Sequence, residues 1–482
     1  MDILRVSQEV THMTSTPSQT STNSAGLLSA GTALPLWQNN CLMRPKPWLQ
    51  VAGALALLVY AFFGIALDSL PEKAALLANL FGLAMLAFYG GPVHGVSLRK
   101  STIVWLAVAA IGVAFISWVA SWILHPQWAE SSFKVHRLTT WFAMIPVAAI
   151  LGGRERNAHL LWAVALVGLL LSPWIAGGGF AEWQRGLSGE RIDFNLLNAQ
   201  HTAMLFGTAA LGLLAFAPRL LTAPRCSWLC RGLWLLALAT CIAAIITTQT
   251  RGVWAGFVVA LAVLAIAAVV ALRQRFKAQR KLIASSAIAA CLCALALGYF
   301  TLGDIVNKRL AVEHETLQLV QQGDLDKVPY TSAGIRLHTW EVALQWIGER
   351  PLVGWGGNGR SLIFDHSTRL PEDIKQRFGH LHNSYLDLLV NFGLLGLALL
   401  AALVYWLVSR CLRYYRAGLL PGSSLVFCLS FATFFGVINL FESYLFYDSG
   451  RLVLAIVGGG LLTQLWAAKR AAASAPGEAP RP

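Results

Sequence analysis

Beyond residue 46 the chain alternates between long apolar runs and short polar joints. A helix that crosses a bilayer needs ~20 predominantly apolar residues. Runs near 48–67, 74–93, 102–124, 139–153, 160–175, 201–218, 232–249, 252–272, 282–301, 385–408, 422–441 and 451–467 fit that need, which predicts about twelve spans. One polar interruption is much longer than the others, at about 302–384. Within it Gly334–Arg350 places apolar side chains at Ile335, Trp340, Ala343, Leu344 and Ile347, a helical spacing. Trp340 and Trp346 suit a helix lying at the membrane interface. The glycine-rich turn Pro351–Gly359 follows it. Residues 1–46 are Ser/Thr-rich and read as a disordered leader, 47–468 as one transmembrane domain, and 469–482 as a disordered tail.

Composition agrees with the pattern. The chain is 56% hydrophobic and only 12% charged, with a mean hydropathy of +0.59, against about 25% charged residues in a soluble domain. The net charge of +14 reports topology here and does not call for nucleic acid. With the N-terminus inside, the inner joints hold Arg99 and Lys100, Arg154 and Arg156, the 273–281 cluster, and Arg410, Arg413 and Arg416. Both termini are therefore expected on the cytoplasmic side. None of the eight cysteines lies in an outward loop, and no Cys/His spacing fits a metal site.

Ten arginines fall on the side that this rule disfavours: Arg185, Arg191, Arg251, Arg309, Arg336, Arg350, Arg360, Arg369, Arg377 and Arg451. Such a set calls for an anion, and a guanidinium grips phosphate with a two-pronged fork. Arg251, in Thr250-Arg251-Gly252 between two apolar runs, either snorkels or clamps phosphate, with Gly252 allowing close approach. Arg191 either pairs with Glu190 or Asp193 or faces a ligand, and Arg336 has the same choice with Glu341 or Asp304. His382 and Asn383 fall in the first turn of the helix that runs to about Val408, where free backbone N–H groups favour anions. His382 is either catalytic there or a capping and packing residue. Glu442, at the end of a later span, is expected to pair with Arg451 or with an arginine of the site. Asp324-Leu325-Asp326 has the form of a metal-diphosphate motif but reads as a solvated turn.

Several pieces together resemble one family. Ser332-Ala333-Gly334-Ile335-Arg336-Leu337 with Trp340 and Ala343, then Pro351-Leu352-Val353-Gly354-Trp355-Gly356, then His382-Asn383-Ser384-Tyr385-Leu386 and Gly393-Leu394-Leu395-Gly396 follow each other as in the O-antigen ligase/polymerase superfamily. Thr250-Arg251-Gly252 resembles the same family's upstream signature. The resemblance spans roughly 180–450. It implies a GT-C-like, all-α polytopic glycosyltransferase of the bacterial inner membrane with one large periplasmic loop at 302–384 and a periplasmic active site. An O-antigen ligase moves a polysaccharide from undecaprenyl pyrophosphate to a lipid A–core sugar. The resemblance implies His382 as catalytic base, Arg251 and Arg191 as diphosphate ligands, and no metal or other cofactor. Arg336, Asn383, Tyr385, Trp340 and Glu442 complete the expected substrate-contacting set. Asn383 would orient His382 or bind a sugar, and Trp340 would shape the lipid entrance. A polymerase of the same superfamily is the nearest alternative. A transporter is the alternative from another class, but the inverted repeats and broken mid-membrane helices of that class are not evident.

Overall fold

The computed structural model describes residues 36–474 except 68, 94, 222–227, 276–317, 320 and 323–326. The helices in the first half are α1 (Pro47–Phe63), α2 (Ser69–Tyr89), α3 (Thr102–Leu124), α4 (His136–Thr139), α5 (Met144–Leu151), α6 (Glu155–Ile175), α7 (Phe180–Leu187), α8 (Ala199–Leu221), α9 (Trp228–Thr247) and α10 (Arg251–Arg275). The second half holds α11 (Ser332–Glu349), α12 (Gly359–His366), α13 (Glu372–Arg377), α14 (Ser384–Arg416), α15 (Gly422–Ile438) and α16 (Asp448–Ser474). Eight of them, α2, α3, α6, α8, α9, α10, α14 and α16, are long and apolar enough to cross a membrane. The α1 helix, the α4–α5 segment and α15 are shorter apolar helices. The expected span at 282–301 lies outside the described residues, as do Asp304, Arg309, Asp324 and Asp326. The protein is thus a nearly all-α, multi-pass membrane protein. Large apolar side chains such as Phe88, Trp105, Trp228 and Tyr405 are exposed, as lipid-facing positions require.

Two boundaries differ from the sequence reading. Residues 36–46, expected in the leader, pack against the α5–α6 turn. Trp37, Leu42 and Met43 are buried there. The Asn40 side chain donates to the Ala149 carbonyl and accepts from the Leu42 and Met43 amides. At the other end α16 continues past 468 to Ser474.

The helix that carries the site is broken. Within α14, Gly393 leaves helical geometry with φ 60° and ψ −157°. The break frees backbone groups that lipid cannot satisfy. The loop after α11 supplies partners for them. The Trp355 amide donates to the Val390 carbonyl (2.8 Å), Gly356 to Asn391 (3.0 Å), and Leu394 to Pro351 (2.7 Å). Ser117 of α3 donates to the carbonyls of Val353 and Asn391 (2.7 and 2.9 Å). The close approach uses glycine on both sides. A Cβ at Gly393 would run into the Leu352 carbonyl, and one at Gly354, with φ 66°, into the Asn391 backbone. The paired motifs Pro351–Gly356 and Gly393–Gly396 are therefore two faces of one joint.

This joint seats a cap of α11–α13 with a core of its own, including Val342, Ala343, Trp355, Leu362, Ile363, Phe364 and Leu381. Trp346 and Trp355 pack ring to ring at 4.5 Å, and Trp128 stacks with His125 and His366. The tryptophans expected to face the interface instead turn towards this core. Trp340 donates its Nε1–H to the Leu381 carbonyl (2.7 Å), and Trp346 accepts the Trp355 indole at its own carbonyl (2.8 Å).

Gly393→Ala should lower stability by about 1–3 kcal/mol or more, from the left-handed backbone and the collision with Leu352. Gly112→Ala, which meets open space, is the control. Thermal unfolding in detergent compares the two, and equal transitions would contradict the role given to the joint.

Candidate functional site

The cap meets the helix bundle at the start of α14. Asn383 is the N-cap of that helix, and its side-chain oxygen accepts from the amides of Tyr385 and Leu386 (3.0 and 3.2 Å). The oxygen of Asn383, a residue expected to orient His382 or hold a sugar, is thus engaged by the helix. His382 consequently lies just before the cap and not in the first turn. It adopts φ 50°, a left-handed conformation uncommon outside glycine. The residue before it is held at both of its peptide groups. The Leu381 carbonyl accepts from Trp340 (2.7 Å), and its amide donates to Asp387 Oδ1 (3.1 Å).

Glu442 comes from the loop between α15 and α16 and is 1% exposed. It does not pair with Arg451, which instead bonds Asp448 at 2.9 Å. Its Oε2 lies 3.0 Å from His382 Nδ1 and its Oε1 3.1 Å from His380 Nε2. Burial pushes its carboxyl up, but the hydrogen bonds from His380 and His382 outweigh that and hold it well below the usual carboxylate range. A carboxylate only accepts, so the ring nitrogens facing it are placed to donate, and they also lie 3.2 Å from each other. The Tyr447 hydroxyl lies 3.1 Å from His380 Nδ1, the nitrogen turned away from Glu442. The Nε2 of His382 lies outside the contact with Glu442, and among the described residues it makes no hydrogen bond. Burial, assisted by the Glu442 charge, pushes the Tyr447 hydroxyl up to about 12, so it remains a donor.

The same three side chains are also spaced as metal ligands are. His380, His382 and Glu442 each offer an atom within 4.8 Å of the others. Two imidazoles and a carboxylate are a donor set that zinc accepts. Direct hydrogen bonds at 3.0–3.1 Å satisfy the carboxylate equally well.

Arginines expected on the outer side are engaged within the protein. Arg185 pairs with Glu190, Arg360 with Asp387, Arg369 with Glu341 and Arg451 with Asp448. Arg350 lies over Trp355 and Arg377 over Phe378. Glu190, one partner expected for Arg191, pairs with Arg185, and Glu341, one expected for Arg336, pairs with Arg369. Arg191 Nε donates to the Thr248 carbonyl (3.2 Å), next to the turn that holds Arg251. The charges of Arg336 and Arg191 both reach Tyr444, a buried neighbour of Glu442. Gly252 accommodates the Phe441 ring, which a Cβ there would strike, and so it serves packing against the Glu442 loop. Tyr385 donates its hydroxyl to the Gly436 carbonyl (2.7 Å) and ties α14 to α15. Tyr444 donates to the Gln200 carbonyl (3.0 Å), and Ser384 Oγ bonds Asn439 Oδ1 (2.5 Å).

The structure thus joins His382 to Glu442 and places Arg191 and Arg336 around Tyr444. The turn of Arg251 adjoins the same loop. Asn383, Tyr385 and Trp340 each hydrogen-bond within the protein. Sequence reasoning missed His380, Tyr447, Asp387 and Arg360 as site residues. The His-x-His spacing was the available signal for the first.

An apolar cavity of about 440 Å³ lies elsewhere, among α1, α6, α8 and α16, lined by Trp162, Leu166, Leu205, Phe216 and Leu452 among others. Its polar rim, His159 and Arg219, is engaged with Glu155. The convergence of titratable groups at His382 identifies the candidate site better than that volume does.

Residues 236–401 match the family model described as O-antigen ligase. The matched stretch contains Arg251, Arg336 and His382, whereas Arg191 and Glu442 lie outside it. No curated protein matches the chain.

Because the folded pKa of Glu442 is depressed, its stabilisation is complete above the unfolded value of ~4.3 and is lost as pH falls towards the folded value. Glu442→Gln should cost about 1.5–3 kcal/mol near neutral pH, as expected for hydrogen bonds to a charged group. The gap from wild type should narrow with acidification below the ordinary carboxylate range. Unfolding transitions of both proteins across a pH series measure this, and a gap that widens steadily below pH ~4 would contradict it.

Proposed function

We propose that this chain, recognised over residues 236–401 as an O-antigen ligase-family protein, transfers a glycan from a polyprenyl diphosphate to a hydroxyl of lipid A–core. The family implies a glycosyltransferase-type reaction on lipid-linked substrates. The observation that carries the finer reading is the pair formed by buried Glu442 and His382. The carboxylate holds Nδ1–H and leaves Nε2 as a lone pair at the junction of cap and bundle. That arrangement supplies an oriented general base without a second carboxylate at the reacting carbon.

In this reading the acceptor O–H gives its proton to His382 Nε2 as its oxygen attacks the anomeric carbon. The bond from that carbon to the diphosphate oxygen breaks, and the diphosphate leaves with the electron pair. Attack opposite the leaving group inverts the anomeric centre. The developing negative charge needs fixed positive partners more than it needs a proton. Arg191, Arg251 and Arg336 take that role, gathered around the Tyr444 and Phe441–Glu442 segment. Glu442 stabilises the imidazolium that forms, as a carboxylate behind a catalytic histidine does. His380 shares the carboxylate and is tied to Tyr447, which keeps the second oxygen of Glu442 in place.

Purified protein given a glycan on undecaprenyl pyrophosphate and lipid A–core should form glycan-bearing lipid A–core. His382→Ala should lower turnover by about 10²–10⁴-fold, the contribution typical of a positioned base. Transfer that persists in EDTA favours the hydrogen-bonded histidine pair. Loss in EDTA with recovery on adding zinc would assign His380, His382 and Glu442 to a metal instead. Elongated lipid-linked glycan without labelled lipid A–core would make the chain a polymerase.

Arg251→Ala and Arg191→Ala should each lower kcat/KM for the donor by about 10²-fold or more, with the protein still folded, if they stabilise the leaving group. Wild-type kinetics in either variant would remove that residue from the site.

A further inference from the structure

Arg360 is one of the outward arginines to which the sequence assigned no role. It sits in the first turn of α12, and its place is set with unusual care. Its backbone amide donates to Asn391 Oδ1 (2.8 Å), beside the break in α14. Its Nη1 lies 3.2 Å from Asp387 Oδ2, and its guanidinium lies over the Phe446 ring at 5.2 Å. Asp387 is fully buried, and its other oxygen accepts from the Leu381 amide between His380 and His382. Phe446 adjoins Tyr447, whose hydroxyl bonds His380. The Arg360 guanidinium is thus coupled, through one carboxylate and one aromatic ring, to the segment that carries the base.

A buried ion pair is a weak device for stability, because taking both charges out of water offsets their attraction. This one is only half enclosed. The Asp387 side chain is 0% exposed and the Arg360 side chain 18%. A guanidinium has five N–H donors, and one is bonded to Asp387. Asp387 and Phe446 aim the remainder of the fork while part of it stays open. Its charge is already balanced by Asp387, so it suits a neutral partner that accepts hydrogen bonds, not a diphosphate. Adjacent hydroxyls of a sugar fit that description. Arg360 also acts on a different neighbour from the diphosphate arginines. Its charge reaches Tyr447, whereas those of Arg191 and Arg336 reach Tyr444.

We propose that Arg360, aimed by Asp387, binds a hydroxyl pair of the acceptor sugar and presents the reacting hydroxyl to His382. This rests on the transferase reading above and adds the acceptor side of the site. Asp387 is a positioning residue for both the fork and the Leu381 peptide.

The test varies donor and acceptor separately in the full-length protein, with the undecaprenyl pyrophosphate glycan and lipid A–core as the two substrates. Arg360→Lys keeps a cation for Asp387 and loses the fork. The double variant Arg360→Gln with Asp387→Asn leaves no buried charge stranded and retains an acceptor for the Leu381 amide. In both, the acceptor KM should rise about 10-fold or more while the donor KM stays within about 2-fold and slow donor hydrolysis by water persists. Should the double variant not fold, Arg360→Lys decides alone. A raised donor KM with an unchanged acceptor KM would place Arg360 on the donor glycan and overturn the inference. Unchanged values for both substrates would overturn it as well. Wild-type protein that transfers no glycan would overturn the ligase reading and this inference with it, whereas an active wild type with an acceptor KM indifferent to Arg360 would overturn this inference alone.

Discussion

A membrane helix that breaks must have its freed backbone groups satisfied from within the protein. That constraint governs the region around Gly393. Lipid offers no hydrogen bonds, so the carbonyls of Val390 and Asn391 and the amide of Leu394 need protein partners. The loop from Pro351 to Gly356 supplies them, with Ser117 closing the remaining side. Docking the loop fixes α11 on one side and α12 on the other. The cap, the position of Trp340 and the path of the chain into His382 all follow from that contact.

A second layer of order comes from two buried carboxylates. Asp387 holds the Leu381 amide and the Arg360 fork, and Glu442 holds two imidazoles. Each is removed from water and each is compensated by directed donors, the condition under which a buried charge is tolerated. Directed compensation also carries information. A carboxylate between two rings favours protons on the nitrogens that face it, and on the proposed reading this leaves Nε2 of His382 open as the base. On that reading the arginines whose charges reach Tyr444 act beside the same centre.

Much of this was legible in the sequence, though unevenly. Apolar run length gave the helices, because the length a bilayer demands is insensitive to detail. The motif pieces located Arg251, Arg336 and His382 in the order in which the family pattern holds them. Roles that depend on partners far along the chain were not legible. Glu442 was assigned to an arginine because charge predicts an opposite charge, but geometry gave it to histidines. Asn383 and Trp340 carry polar groups suited to a ligand, yet the capping amides and the Leu381 carbonyl claim them. Arg360 and Asp387 were invisible as a pair, since they lie 27 residues apart on either side of the docked loop. The excess of outer arginines overstated the demand for an anion, because protein groups engage many of them.

The site draws on the Arg191 segment, the turn before α10, the start of α14 and the loop before α16. The base and its carboxylate alone are separated by 60 residues. A ribosome delivers these parts in order, and the Glu442 loop arrives after nearly everything else. Until it docks, His382 has no carboxylate to fix its tautomer, and the guanidiniums lack the Tyr444 and Phe441 surfaces around which they gather. On the transferase reading proposed above, a partly inserted chain is chemically silent towards lipid-linked glycan, however many of its helices are already in the bilayer. On that reading the order of synthesis itself guards the membrane's pool of activated sugar.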